Sequence, residues 1–221
     1  MKVLLLNPPF LKKFSRPQRS PAVTKSGTVY FPMWLSYAAG VLMENGFEVD
    51  LIDAPANDQN MDDVVERVKK FQPDFIVVDT STPSIYNDTA IAVGLKDICP
   101  SSFIVLVGTH VSALPDKTLG INNKIDAIAR HEYDYTLLEL AKTLKESGDI
   151  GNVKGISFRN GSGITHTPDR LYVENLDELP FVSKVYKKFL KIENYFNPNA
   201  LYPMVTITTS RGCPFQCTFC V

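Results

Sequence analysis

The chain has 221 residues, room for one large domain or for one domain and part of another. Apolar residues make up 44% and charged residues 21%, and the mean hydropathy is -0.04, which excludes disordered, fibrous and membrane-embedded classes. With 23 basic against 24 acidic residues no global field recruits nucleic acid or an anionic membrane. No apolar run approaches the ~20 residues of a membrane span, and no signal peptide opens the chain, so the expected compartment is the cytoplasm.

Lys2 to Asn7 is almost wholly apolar and closed by Pro8 and Pro9, the pattern of a strand buried on both faces. Similar runs recur at Phe47 to Asp53, Asp74 to Asp79, Phe103 to Gly108 and Ile125 to Arg130. Helices are predicted between them. Pro32 to Asn45 has Pro at its start and Gly46 past its end. Asp62 to Phe71 carries Val64, Val65, Val68 and Phe71 on one stripe. Residues 84–98 form a weaker third pattern, and Tyr135 to Ser147 a fourth that ends at Gly148. Strands alternating with helices define a five-stranded, doubly wound, Rossmann-like or flavodoxin-like parallel sheet over residues 1–150.

The pattern changes after Gly148. Val153 to Arg159 and Ile164 to Thr167 flank Asn160, Gly161, Ser162 and Gly163, a β-hairpin placed in a linker spanning 151–203. Residues 168–182 are bounded by prolines, and Ser183 to Glu193 is predicted as a short helix. Val205 to Thr209 is then predicted as a strand leading into Cys213, Cys217 and Cys220. A strand and its first loop open a second α/β domain from 204, so the chain is expected to be the front part of a longer protein.

Cys213-x3-Cys217-x2-Cys220 puts three thiolates on one loop, enough to wrap a corner of a 4Fe-4S cluster and leave one iron without a protein ligand. Zinc is the rival, but structural zinc takes four protein ligands, and His166 and Cys99 are remote in sequence. A disulfide is poorer still in a cytoplasmic chain. Lys12, Lys13, Arg16, Arg19 and Lys25 lie in a stretch without acidic residues, either a lid over cofactor or substrate phosphates or a solvated loop. His110 either faces a ligand or caps the turn at Pro115, His131 is a loop residue, and His166 lies on the surface. Trp34, Tyr37 and Val41 stand at i, i+3 and i+7, a core stripe.

At Thr208-Thr209-Ser210-Arg211-Gly212-Cys213-Pro214-Phe215-Gln216-Cys217-Thr218-Phe219-Cys220 the chain resembles the radical S-adenosylmethionine superfamily, whose cysteine signature follows the first strand of a TIM-type barrel. The resemblance implies a cluster held by Cys213, Cys217 and Cys220, S-adenosylmethionine on the open iron, and its reductive cleavage to a 5'-deoxyadenosyl radical. Ahead of it, Asn7-Pro8-Pro9, the run Gly108 to Asp116, Thr136 to Leu140 and Asn175 to Pro180 resemble the cobalamin-binding module of one branch of that superfamily. That likeness implies cobalamin contacts from Asn7, Pro8, Pro9, Ser81, Thr82, Gly108, Thr109, His110 and Ser112. The chain departs from the branch at Thr109, where a glycine is frequent, and at His131 to Asp134, where a glycine-rich turn is usual. Where related modules place a histidine that ligates cobalt from below, this chain has Asn7 to Leu11, so no lower imidazole is expected there.

The resemblance implies a parent enzyme performing methyl transfer or a related radical rearrangement on a small-molecule or lipid-type substrate, with electrons from a donor such as flavodoxin or ferredoxin. Residues 204–221 hold only the start of the barrel, so the chain alone is not expected to turn over S-adenosylmethionine. The competing class is a non-enzymatic module for cobalamin, a flavin or a nucleotide, with an incidental or zinc-binding cysteine tail. No G-x-G-x-x-G follows the first strand, which counts against a dinucleotide.

Overall fold

The structure, a computed structural model, describes residues 1–17, 25–161, 163–213, 215, 217 and 218. Arg19, Ser162, Pro214, Gln216, Phe219 and Cys220, all named in the sequence reading, lie outside the described residues.

Strands with apolar side chains on both faces must be covered on both faces, and that requirement builds the molecule. Strands β1 (Lys2–Asn7), β2 (Glu48–Asp53), β3 (Phe75–Asp79), β4 (Phe103–Val107) and β5 (Ala127–Ala129) lie parallel. Side chains alternate along β1, Val3 and Leu5 entering one core while Leu4 and Leu6 enter the other. Helices α1 (Met33–Glu44) and α6 (Asp134–Lys145) cover the first face, and α2 (Met61–Phe71) and α3 (Ile85–Ile98) the second. Helix α2 begins at a capping box, in which Asn60 Oδ1 accepts from the Asp63 N–H at 3.1 Å and Asp63 returns the bond to the Asn60 N–H at 2.9 Å. Only Val64 and Val68 of its predicted stripe are fully buried.

Three expectations are corrected. The hairpin, β6 (Ile156–Asn160) and β7 (Gly163–His166), is not set apart in a linker. It pairs antiparallel with β5 and completes one seven-stranded mixed sheet, β2-β1-β3-β4-β5-β6-β7. The five-stranded parallel description therefore holds only for the first part of the sheet. The stretch after β4, where a turn was expected at Pro115, forms two short helices, α4 (Thr109–Ala113) and α5 (Pro115–Ile121), with Pro115 opening the second. Val205 to Thr209, predicted as a strand, forms no strand and pairs with none among the described residues. Its β-branched sequence supplies the propensity, but a strand needs a neighbouring edge.

Helix α7 (Val182–Phe189) packs on α1 and buries Val182, Val185 and Tyr186. Phe31, ahead of α1, stacks on Tyr195 with ring centres 3.9 Å apart and tilts against Tyr186 at 4.5 Å. Residues 182–195 are thereby fastened to the front of the sheet domain.

Candidate functional site

The strand register brings Asn7, Asp53 and Asp79 together at the carboxyl edge. Asn7 is opposite Asp53, and Leu6 is opposite Val78, so Asp79 ends its strand beside Asn7. Connections leave β1 and β3 toward opposite faces, so the crevice of the topological switch lies between them, where ligands of open α/β sheets bind. A chain of buried polar groups runs along this edge. Tyr195 Oη donates to Asp53 Oδ2 at 2.8 Å, and Asn7 Nδ2 to Asp53 Oδ1 at 2.7 Å. Arg16 Nη1 donates to Asn7 Oδ1 and, at 2.8 Å, to the Pro8 carbonyl. Its Nε donates to Asp88 Oδ2 at 3.2 Å, and its Nη2 to Asp88 Oδ1. Ser84 donates to Asp88 and shares a 2.8 Å bond with Ser81.

Arg16 therefore belongs to no lid and no solvated loop: its side chain is 1% exposed and its partner Asp88 is fully buried. Lys12, Lys13 and Lys25 are exposed. Of the residues expected at a cofactor, Asn7, Pro8 and Ser81 spend polar atoms inside this network, as the frame of the crevice.

The rim is built by the segment after β3 and by Gly108 and the start of α4 after β4. Thr80 Oγ1 donates to the Val107 carbonyl at 2.7 Å, drawing the two strand ends together. Gly108 follows with φ +119°, and a Cβ there would lie 2.3 Å from the Thr80 carbonyl oxygen, so only glycine fits. The His110 carbonyl accepts from the Leu114 N–H at 3.0 Å, just ahead of Pro115. His110 Nδ1 lies 3.1 Å from Thr82 Oγ1, and the two side chains bridge the rim at the protein surface. Partial burial lowers the pKa of His110. Thr109 is exposed, while Ser112 Oγ donates to the Gly108 carbonyl at 2.9 Å and accepts from the His131 N–H at 2.9 Å. An open shelf of glycine backbone and small polar side chains over a buried polar floor fits a broad flat ligand.

Three buried carboxylates, Asp53, Asp79 and Asp88, face one buried cation, Arg16. Burial pushes Asp53 up to about 6, against the hydrogen bonds from Tyr195 and Asn7, and Asp79 up to about 7. The folded chain thus keeps a proton on Asp79 that the unfolded chain releases near pH 4, and stability falls as pH rises from about 4 to about 7 and is level above. At ~1.4 kcal/mol per unit of separation, Asp79→Asn is expected to stabilise the protein by up to about 4 kcal/mol at pH 8 and hardly at all at pH 4. Urea unfolding at the two pH values measures it, and equal effects at both would show the carboxyl to be ionised throughout.

Cys213 and Cys217 are exposed and free of disulfides, while Cys99 is buried where α3 ends, at the opposite edge of the sheet. Two open thiols on one short loop are a donor set suited to iron or zinc. Arg211, just ahead of them, is buried against Asp134, with Nη1 to Oδ2 at 2.6 Å. Sequence reading missed Arg211, Asp88 and Tyr195 as partners. Trp34, taken as core, is 38% exposed and lies against the Arg211 guanidinium.

A mostly parallel sheet whose polar residues converge at the switch point defines a ligand-binding domain of the doubly wound α/β class. The chain belongs to the B12-binding domain family, whose profile matches residues 19–141. It is 31% identical, over its whole length, to 45% of an uncharacterized methyltransferase of Pyrococcus horikoshii. Over 86% of its length it is 30% identical to 34% of the anaerobic magnesium-protoporphyrin IX monomethyl ester cyclase of Rubrivivax gelatinosus. Over the same share it is 26% identical to 35% of the hopanoid C-3 methylase of Methylococcus capsulatus. The chain thus spans less than half the length of these relatives. Its fold matches the cobalamin-dependent S-adenosylmethionine radical enzyme OxsB, solved with aqua-cobalamin and S-adenosylmethionine, at TM-score 0.67 and 20% identity, over 83% of this chain and 25% of that one. It also matches the radical S-adenosylmethionine methyltransferase TsrM of Kitasatospora setae, solved with cobalamin and a 4Fe-4S cluster, at TM-score 0.61 and 16% identity, over 81% of this chain and 30% of that one. Among the described residues no helix is long and apolar enough to cross a membrane.

Proposed function

We propose that this chain is the cobalamin-binding unit and cluster loop of a cobalamin-dependent radical S-adenosylmethionine enzyme. It transfers a methyl group, or drives a related radical rearrangement, on a small-molecule or lipid-type substrate in the cytoplasm. The observation that carries this reading is the pairing, in one chain, of a B12-binding domain with Cys213-x3-Cys217-x2-Cys220. The proposed division is a cobalamin-binding unit over 1–150, a connecting segment over 151–203 whose hairpin extends the first unit's sheet, and the opening of a catalytic barrel from 204.

When bound, the cluster supplies the electron that cleaves S-adenosylmethionine and cobalamin carries the methyl group. Gly108, Thr109, His110, Ser81, Thr82 and Ser112, with the Asn7-Pro8-Pro9 turn, hold the corrin at the carboxyl edge. The Arg16–Asp88 pair keeps that edge rigid beneath it. Cys213, Cys217 and Cys220 would hold the cluster, and with three protein thiolates one iron would stay open to S-adenosylmethionine. Electrons come from a flavodoxin- or ferredoxin-type donor.

The test is anaerobic reconstitution of the protein with iron, sulfide and cobalamin. Iron uptake, a corrin absorption spectrum and 5'-deoxyadenosine from S-adenosylmethionine under a strong reductant, in the chain extended to its relatives' length, are the expected results. Stoichiometric, chelator-resistant zinc with no iron would refute the reading.

A further inference from the structure

Arg211 lies two residues before Cys213, and its side chain is only 5% exposed although Ser210 and Gly212 beside it are open. Besides the 2.6 Å bond from Nη1, its Nη2 donates to Asp134 Oδ1 at 3.4 Å, and Glu132 Oε2 lies 3.5 Å from Nη1. The guanidinium carbon is 5.0 Å from the centre of the Trp34 ring and 4.8 Å from that of Tyr37. Two aromatic rings and two carboxylates hold one cation, and a planar fork in such a pocket is fixed in direction as well as in place.

All four partners come from the B12-binding unit. Trp34 and Tyr37 stand in the first turns of α1, and Glu132 and Asp134 at the start of α6. Both helices begin at the carboxyl edge, so the clamp and the corrin crevice share that edge. Tyr133 is buried between them, within electrostatic reach of Asp79 on one side and of Asp134 and Arg211 on the other. Lighter ties lead the chain to the clamp: Tyr186 Oη donates to the Thr206 carbonyl at 3.2 Å, Tyr37 Oη to the Thr208 carbonyl at 3.4 Å, and Thr208 Oγ1 to Met33 Sδ at 2.7 Å. At Gly212, φ +84°, the chain turns out of the clamp into the cysteine loop. Burying a cation here costs desolvation that an apolar side chain covering the same rings would avoid. What the guanidinium adds is a single orientation for the residues that follow.

We propose that Arg211 is a positioning residue that locks the cysteine loop onto the corrin-binding unit and so fixes the cluster relative to the corrin. The inference rests on the functional reading above and concerns a residue that ligates nothing. Its test uses the reconstituted protein with Asp134→Asn, Trp34→Leu, Arg211→Lys and Arg211→Met. Tryptic cleavage after residue 211 reads the clamp without reference to the cluster. It is expected to be slow in the wild type and about tenfold faster in Asp134→Asn and Trp34→Leu, a factor equal to ~1.4 kcal/mol. Iron content and the spin-resonance spectrum of the reduced cluster read the loop. Arg211→Met is expected to shift or broaden the spectrum with cobalamin still bound, and Arg211→Lys, which keeps the charge but not the fork, to restore it only in part. Should Arg211→Met fail to fold, the Trp34→Leu spectrum decides, since Trp34 is half-open to solvent. Wild-type iron uptake with cleavage and spectra unchanged in the variants overturns the positioning role alone. No iron uptake by the wild type overturns the functional reading, and the positioning role with it.

Discussion

Asp88→Ala is expected to cost about 3–5 kcal/mol of folding stability, because it removes the one carboxylate that hydrogen-bonds a guanidinium that is 1% exposed and leaves Asp53 and Asp79 to act on it only through space. Arg16 keeps its bonds to Asn7 and the Pro8 carbonyl, but neutral acceptors do not offset a buried charge. In urea, with a slope of ~2 kcal/mol per molar, the midpoint should fall by about 2 M. The paired replacement Arg16→Met with Asp88→Leu should lose far less than the sum of the single changes, since it removes both charges together. Part of the loss should remain, because Asn7 gives up a partner. A fall of less than 1 kcal/mol in Asp88→Ala would mean that water reaches the pair.

Cys213→Ala is expected to reduce iron and labile sulfide, measured after anaerobic reconstitution, to less than about one-tenth of the wild-type content. Two remaining thiolates cannot hold a cubane corner that needs three. Cobalamin content should stay unchanged, since the polar network from Tyr195 to Ser81 contains no cysteine. Cys99→Ala is the matched control, because Cys99 is buried at the far edge of the sheet, and it should retain all the iron. Wild-type iron in Cys213→Ala would place the cluster on other ligands.

The central strands were legible because burial on both faces leaves an unbroken apolar run, which is local information. The hairpin was legible as a hairpin, but its docking on β5 depends on a three-residue strand whose free edge no periodicity marks. Arg16 read as part of a basic lid or solvated loop because the stretch from Lys12 to Lys25 holds no acidic residue. Its partner Asp88 lies in a helix 72 residues away, and no sequence pattern announces a buried ion pair. Trp34 fell on a helical stripe with Tyr37 and Val41, so spacing assigned it to the core. Only tertiary structure shows that the stripe ends at Arg211. Gly108 and His110 could be placed at the strand end from sequence because they follow a buried apolar run, where the doubly wound fold puts its ligands. The strand-final aspartates Asp53 and Asp79 were visible at the same strand ends, but their raised pKa values come from burial that the register creates.

Helix α1 is covered on its outer side by Val182, Val185 and Tyr186 of α7, and its first turns meet Thr208 and Arg211. At the ribosome, that covering chain emerges roughly 150 residues after α1, about 8–30 s later at ordinary elongation rates. Over that interval Phe31 and Tyr37 lack the partners that cover them in the folded chain, and the nascent sheet carries an uncapped apolar flank.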